Sequence, residues 1–288
     1  PIMGVTLDFK PHEQQGMRSA VVKQLPKKLV LLAQNEQGYQ HLLELVSLAY
    51  LEPAGDLPLL DYTQLEGRTG GLICLSGAVS GGLAQLLLAE RESDAEAFLT
   101  RLKSWFPDRL YIELQRHHLP EEEKVEPQLI KLAMAHELPL VATNEVYFAT
   151  REMYEAHDAL MCISEGRYVS EEDRRKVTPE HYFKDAGEMT ELFSDIPEAL
   201  ENTMQITQRC AFMSPARPPI LPRFGDIDQE RAMLAEQAAS GLEERLQEHV
   251  LSLEMSEEER QAKRTEYEAR LKYEIDVINQ MGFPGYFL

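Results

Sequence analysis

Four short apolar runs, each handing over to a helical stretch, limit what this chain can fold into more than anything else in its sequence. KLVLLAQ (28–34) leads into GYQHLLELVSLAYLE, and GLICLSG (71–77) into GLAQLLLAERESDAEAFLTRLKSWF, which reads as two helices. LYIELQRH (110–117) precedes a helix through PQLIKLAMAHE, and LPLVATNEVYF (138–148) precedes one through EMYEAHDALMCI. Short apolar runs separated by helices are the pattern of parallel βα units. PIMGVTLDF at the start supplies a fifth candidate strand. The expected class is α/β, a parallel sheet or barrel rather than a sandwich. In such folds ligands sit at the C-terminal ends of the strands.

Beyond about residue 170 the texture changes. RYVSEEDRRKVTPEHYF is polar, and helices then dominate in AGEMTELFS and PEALENTMQITQRC. MSPARPPILPRFGDID brings together Pro215, Pro218, Pro219 and Pro222 and reads as an extended linker, because proline fixes φ and removes a donor. Two charged helices follow, over about 228–249 and 256–281. The domain boundary is expected near residue 212.

Charge narrows the partners. Forty-nine acidic against twenty-nine basic residues give −20, so this surface repels phosphate backbones and is not expected to be a main nucleic-acid face. Most of these acids read as solvated helix faces. No apolar run reaches the roughly 18 residues that span a bilayer, and no secretory signal opens the chain. Cys74, Cys162 and Cys210 form no CxxC and read as reduced thiols of a cytoplasmic protein.

The strand ends offer the candidate chemistry. QRHHLPEEE presents His117 and His118, and ATNEVYF presents Asn144 and Glu145. His and carboxylate at neighbouring strand mouths can gather metal ions for hydrolysis, although loop residues satisfied by water and backbone are the plainer reading. GAVSGG (77–82) lacks the lysine of a phosphate loop and reads as a strand-to-helix turn. Asp226 and Asp228 have the D-x-D spacing of metal-binding carboxylates, but they stand where a helix cap belongs. His157 lies on a helix with Leu160, Met161 and Ile163 on its other face, and reads as packed. The two ends, PIMGVTLDF and VINQMGFPGYFL, are apolar enough to read as cuts through a larger fold.

Several stretches together carry a resemblance: PIMGVTLDF, KLVLLAQNEQGYQHLLELVSLAY, FPDRLYIELQRHHLPEEE, LPLVATNEVYF, AHDALMCI, ELFSDIPEALENTMQITQRC and YEIDVINQMGFPGYFL. In order and spacing the chain resembles the bacterial C-family replicative DNA polymerases, the DNA polymerase III alpha family. The resemblance covers nearly its whole length. It implies an incomplete PHP-type distorted (β/α) barrel over residues 1–212, lacking its histidine-rich opening. Residues 213–288 would be a linker and the beginning of the polymerase core, a mainly helical segment leading into the palm. The palm aspartates that hold Mg2+ would lie beyond Leu288, so no catalytic residue and no cofactor is expected within the chain.

The same resemblance implies metal-ligand positions that can be compared one by one. The glutamate expected on the first strand is replaced by Val5 or Thr6, and the histidine expected before LVLLA is Lys28. The expected Asp-x-His reads Glu145-Val146-Tyr147, while His117 matches and survives. A lysine brings its own positive charge, and a tyrosine with a pKa of about 10 is a poor ligand near neutrality. The site is expected to be vestigial at Thr6, Lys28, His117, Glu145 and Tyr147. The implied role is a scaffold within a DNA-directed DNA polymerase, docking a proofreading exonuclease subunit and other replisome proteins. DNA and dNTPs would be handled by other parts, with no membrane involved. The alternatives are an active metal-dependent phosphoesterase or 3′–5′ exonuclease, a freestanding interaction module, and the error-prone relative of the replicative enzyme.

Overall fold

A computed structural model describes residues 1–10, 27–54, 57–217, 223–252 and 254–288. The chain divides into two compact units, residues 1–214 and 215–288. Five strands form one open sheet in the first unit: β1 (Gly4–Phe9), β2 (Lys27–Ala33), β3 (Leu72–Leu75), β4 (Leu110–Leu114) and β5 (Leu140–Ala142). Their order across the sheet is their order along the chain.

The sheet is mixed, which corrects the expectation of an all-parallel one. β1 pairs antiparallel with β2 and β2 antiparallel with β3, whereas β3–β4 and β4–β5 are parallel. Periodicity carries no strand direction, but the burial patterns distinguish the two cases. β3, β4 and β5 are buried at every residue, as strands covered on both faces must be, while β2 alternates. In β2 the buried set is Leu29, Leu31 and Ala33, with Lys28, Val30 and Leu32 on the other face.

Alternation along the strands divides the apolar residues between two layers. Leu7, Phe9, Leu29, Leu31, Leu72, Cys74, Leu110, Ile112 and Leu140 join the main core. That core also takes in residues of α1 (Glu36–Leu51), α2 (Gly82–Leu88), α3 (Glu92–Trp105) and α4 (Pro120–Ala135). Ile73, Leu75, Tyr111 and Val141 point the other way and meet a smaller cluster with Ile206 and Cys210. All three cysteines are buried free thiols.

Local signals explain where these helices start. Asn35 caps α1 by accepting from the Gly38 N–H at 3.0 Å. α4 begins at Pro120, seven residues before the expected start, and holds Pro127 in its interior. Pro120 at the first helical position and three glutamates in the first turn form a strong start signal, which outweighed the proline inside. The expected strand over 138–148 is only three residues long; the Thr143 N–H still donates to the Leu114 carbonyl, and Asn144 to Phe148 turn away from the sheet. There they meet residues 181–183, with Tyr147 N–H donating to the His181 carbonyl and Phe183 N–H to that of Phe148. α5 (Tyr154–Glu165), α6 (Ala186–Leu192) and α7 (Pro197–Arg209) complete this unit.

The second unit is helical. Asp226 caps α8 (Ile227–Arg245) by accepting from the Asp228 and Gln229 N–H groups, the role its position indicated. A single π turn, Leu246–Val250, ends α8, and Ser256 caps α9 (Glu257–Met281). A four-residue α10 (Pro284–Phe287) closes the chain. Of the proline-rich stretch, Pro218, Pro219 and Pro222 lie outside the described residues.

Candidate functional site at the strand ends

Because β2 runs against its neighbours, its first residues stand at the end of the sheet where β3, β4 and β5 finish. Lys28 thus arrives at the same rim as the residues that follow β4 and β5. The turn after β3 is tight. Gly77 has φ +86°, and a Cβ there would come within 2.3 Å of the Lys28 carbonyl oxygen, so only glycine fits. This confirms the GAVSGG segment as a strand-to-helix turn.

His117 is the centre of the site and is 1% exposed. Its Nδ1 lies 2.8 Å from the Glu122 carboxylate, which also accepts from the His117 backbone N–H at 2.6 Å. Its Nε2 lies 3.0 Å from Asn144 Oδ1 and 3.2 Å from the Glu145 backbone nitrogen, which donates to it. The ring stacks on His181 with centroids 4.0 Å apart. The Thr178 hydroxyl donates to the His117 carbonyl, and Asn144 Nδ2 donates to that of Tyr182.

Glu145 is held from two sides. Lys28 Nζ approaches its carboxylate to 3.7 Å, and the Tyr147 hydroxyl donates to it at 2.9 Å. Lys184 is buried, donates to the Glu180 carbonyl and lies 3.4 Å from Asn144 Oδ1. Glu113 is 3% exposed near the end of β4; its carboxylate accepts from the Gly77 N–H at 3.0 Å and the Thr143 hydroxyl at 2.6 Å.

Burial dominates the electrostatics. It raises the Glu113 carboxyl above its ordinary range, partly offset by the Thr143 and Gly77 hydrogen bonds. Burial also lowers Lys184. Burial and the neighbouring His117 lower His181, which favours its neutral ring. The Tyr147 phenol is raised by burial and by the Glu145 charge, so it stays protonated near neutrality.

The structure brings together Lys28, His117, Asn144, Glu145 and Tyr147, and leaves the other candidates elsewhere. Thr6 faces Val30 in mid-strand on β1, is exposed, and makes no side-chain hydrogen bond among the described residues. Val5 packs against the main core. His118 is exposed with φ +58°. His157 packs against Tyr147 and Phe148 at 5.4 Å each, as a packed histidine should, although its buried Nδ1 has no partner among the described residues. Asp226 and Asp228 belong to the α8 cap. Sequence reasoning missed Glu113, Glu122, His181 and Lys184. Glu122 was visible only as one of three helix-start glutamates, and His181 sits in a polar loop with no periodicity to mark it.

Two family models and several curated proteins match this sequence. Residues 1–117 match the PHP domain, and residues 232–288 match the bacterial DNA polymerase III alpha NTPase domain. DNA polymerase III subunit alpha of Caulobacter vibrioides is 48% identical over 263 residues, covering 90% of this chain and 22% of that protein. The chain is homologous to one segment of DNA polymerase III alpha subunits. The Haemophilus influenzae alpha subunit is 41% identical over 90% of the chain and 22% of its own length. That of Pseudomonas aeruginosa is 38% identical over the whole chain and 24% of its own length. The chain thus spans less than a quarter of the alpha subunits it matches. The PHP-type fold and the start of the polymerase III alpha region lie in one chain, as the resemblance implied. Among the described residues no helix is long and apolar enough to cross a membrane.

Proposed function

We propose that the chain is part of the catalytic subunit of a bacterial DNA-directed DNA polymerase, and that its sheet-bearing unit is a scaffold whose strand-end site holds no metal. Homology across both matched segments supports the polymerase assignment. The observation that supports the scaffold reading is how the site spends its donor atoms. Both ring nitrogens of His117 are engaged within the protein, and Glu145 is bound by an ammonium and a phenol. Lys28 puts a positive charge beside the Glu145 carboxylate, and a metal ligand set must present lone pairs rather than protons. Among the described residues no group of three or more His, Cys, Asp or Glu is placed to hold a metal ion. These residues do not fit the metal that PHP barrels of the phosphoesterase type require.

On this reading the sheet-bearing unit braces the polymerase core and offers its acidic surface to a protein partner, the proofreading exonuclease subunit, in the cytoplasm. DNA, dNTPs and Mg2+ are engaged by other regions of the parent, where metal-held carboxylates would activate the primer 3′ hydroxyl. The test is the metal content of the full-length parent purified without chelator, beside a His117→Ala variant, with primer extension and phosphoesterase activity followed in both. The expected result is no stoichiometric zinc or manganese and equal primer extension. Metal bound in a 1:1 ratio or higher and lost with His117, together with nuclease activity, would replace the scaffold reading with a working phosphoesterase site.

A further inference from the structure

The turn that follows α9 carries a carboxylate in close contact with a glycine. Gly282 ends α9, and Phe283, Pro284 and Gly285 lead into α10. Pro284 and Gly285 are buried, while the rings of Phe283, Tyr286 and Phe287 remain exposed. Over Gly285 lies the side chain of Glu230, from the first turn of α8 and only 5% exposed. A Cβ on Gly285 would stand 2.5 Å from Oε1, 2.7 Å from Cδ and 2.9 Å from Oε2. The whole carboxylate therefore lies against the glycine backbone, closer than any other residue there would permit.

The carboxylate is not free to swing aside. Its Oε1 accepts the Phe224 N–H at 3.0 Å, so it also fixes the segment that enters α8. Moving it would break that hydrogen bond at a carboxylate only 5% exposed, which costs free energy. Glu230 thus joins the approach to α8, α8 itself and the turn into α10.

We propose that Glu230 and Gly285 form a latch that fixes α10 against α8 and sets where Tyr286 and Phe287 stand. Glu230 is a positioning residue. Resting on the polymerase assignment above, the latch sets the direction of the chain after α9 within the segment that matches the polymerase III alpha domain. The pairing is steric and reciprocal: the glycine makes room for the carboxylate, and the carboxylate fills the space that the glycine leaves.

The test uses the full-length parent with Gly285→Ala, Glu230→Asp, Glu230→Gln and the Gly285→Ala/Glu230→Asp pair. Hydrogen exchange at residues 283–287 reports the latch, and primer extension reports its effect. Gly285→Ala should lower protection there by about tenfold, the order of one hydrogen bond to a charged group, and lower kcat. Glu230→Asp withdraws the carboxylate by one methylene, so the pair should recover protection and kcat above Gly285→Ala alone. Glu230→Gln keeps an acceptor for Phe224 and should retain more protection than Glu230→Asp. If Gly285→Ala does not fold, that Gln-against-Asp order decides the matter. Unchanged exchange in Gly285→Ala, or a double variant no better than the single, overturns the latch. Absent primer extension in the wild-type parent would instead overturn the polymerase assignment and leave the exchange result to judge the latch separately.

Discussion

The two units are held by different forces. In residues 1–214, Phe9, Phe106, Phe193 and a series of leucines are fully buried, and the sheet is sealed on its main face by helices. In residues 215–288, α9 buries no residue at all, and the buried positions of α8 are Glu230 and Leu234. α9 instead carries exposed ion pairs such as Arg270–Glu274 and Lys272–Asp276, and its start is fixed by the Ser256–Glu259 capping box. The first unit is specified by volume and shape, the second by caps and charge. Core burial is worth several kcal/mol per large side chain, whereas an exposed pair is worth a few tenths.

Four substitutions would break or sharpen that contrast. Phe106→Ala should cost the first unit about 3–5 kcal/mol, read from the denaturant midpoint, because it empties a fully buried site. A loss below about 1 kcal/mol would mean that packing in this core does not hold the unit together. A second change probes an ionic fastening within the same unit. Arg174 grips both oxygens of Asp158 at 2.6 Å and so ties the segment after α5 to that helix. The Arg174 hydrogen bonds hold the Asp158 carboxyl below its ordinary value. A depressed carboxyl contributes stability above its unfolded value of about 3.9, and that stability is lost as pH falls through the folded value. Opening of residues 166–176, read as hydrogen exchange normalised to the intrinsic amide rate at each pH, should therefore rise on acidification in the wild type. In Asp158→Asn it should already be raised at neutral pH and respond less to acid; an identical profile in both would show that the pair fastens nothing.

In the second unit the expected effects are smaller. Asp226→Ala removes the α8 cap and should cost about 1 kcal/mol, seen as reduced protection in the first turn of α8. Lys272→Ala should change stability by about 0.3–0.5 kcal/mol at low salt, and added salt should erase the difference. A larger effect that survives salt would mean that α9 is held by something other than its surface charges.

How legible each region was follows the same contrast. All five strands and most helices could be placed from apolar periodicity, because burial imposes it. Strand direction could not, since KLVLLAQ looks the same whichever way its neighbour runs. The α8 cap was legible at Asp226 because capping is a local matter. The strand-end site was legible only in part. His117, Asn144 and Glu145 follow strands and could be anticipated there, and the resemblance added Lys28 and Tyr147. Glu113, Glu122, His181 and Lys184 are polar residues buried by tertiary contact, and nothing in their immediate sequence shows that they will be enclosed. Thr6 fell outside the site because the site is built at the strand ends and Thr6 sits in mid-strand.

The reversed course of β2 also bears on length changes in the chain. Its side chains alternate strictly, with Leu29 and Leu31 inward on the core and Lys28 on the opposite face at the rim. Deleting one residue between Lys28 and Leu31 would set two demands against each other: a strand that keeps its leucines in the core loses the ammonium from beside Glu145, and one that keeps the ammonium turns its leucines to the other face. A loss of two residues would preserve the alternation and merely shorten the ribbon. Within this strand, length variation is therefore expected in even steps, with single-residue changes confined to the flanking turns.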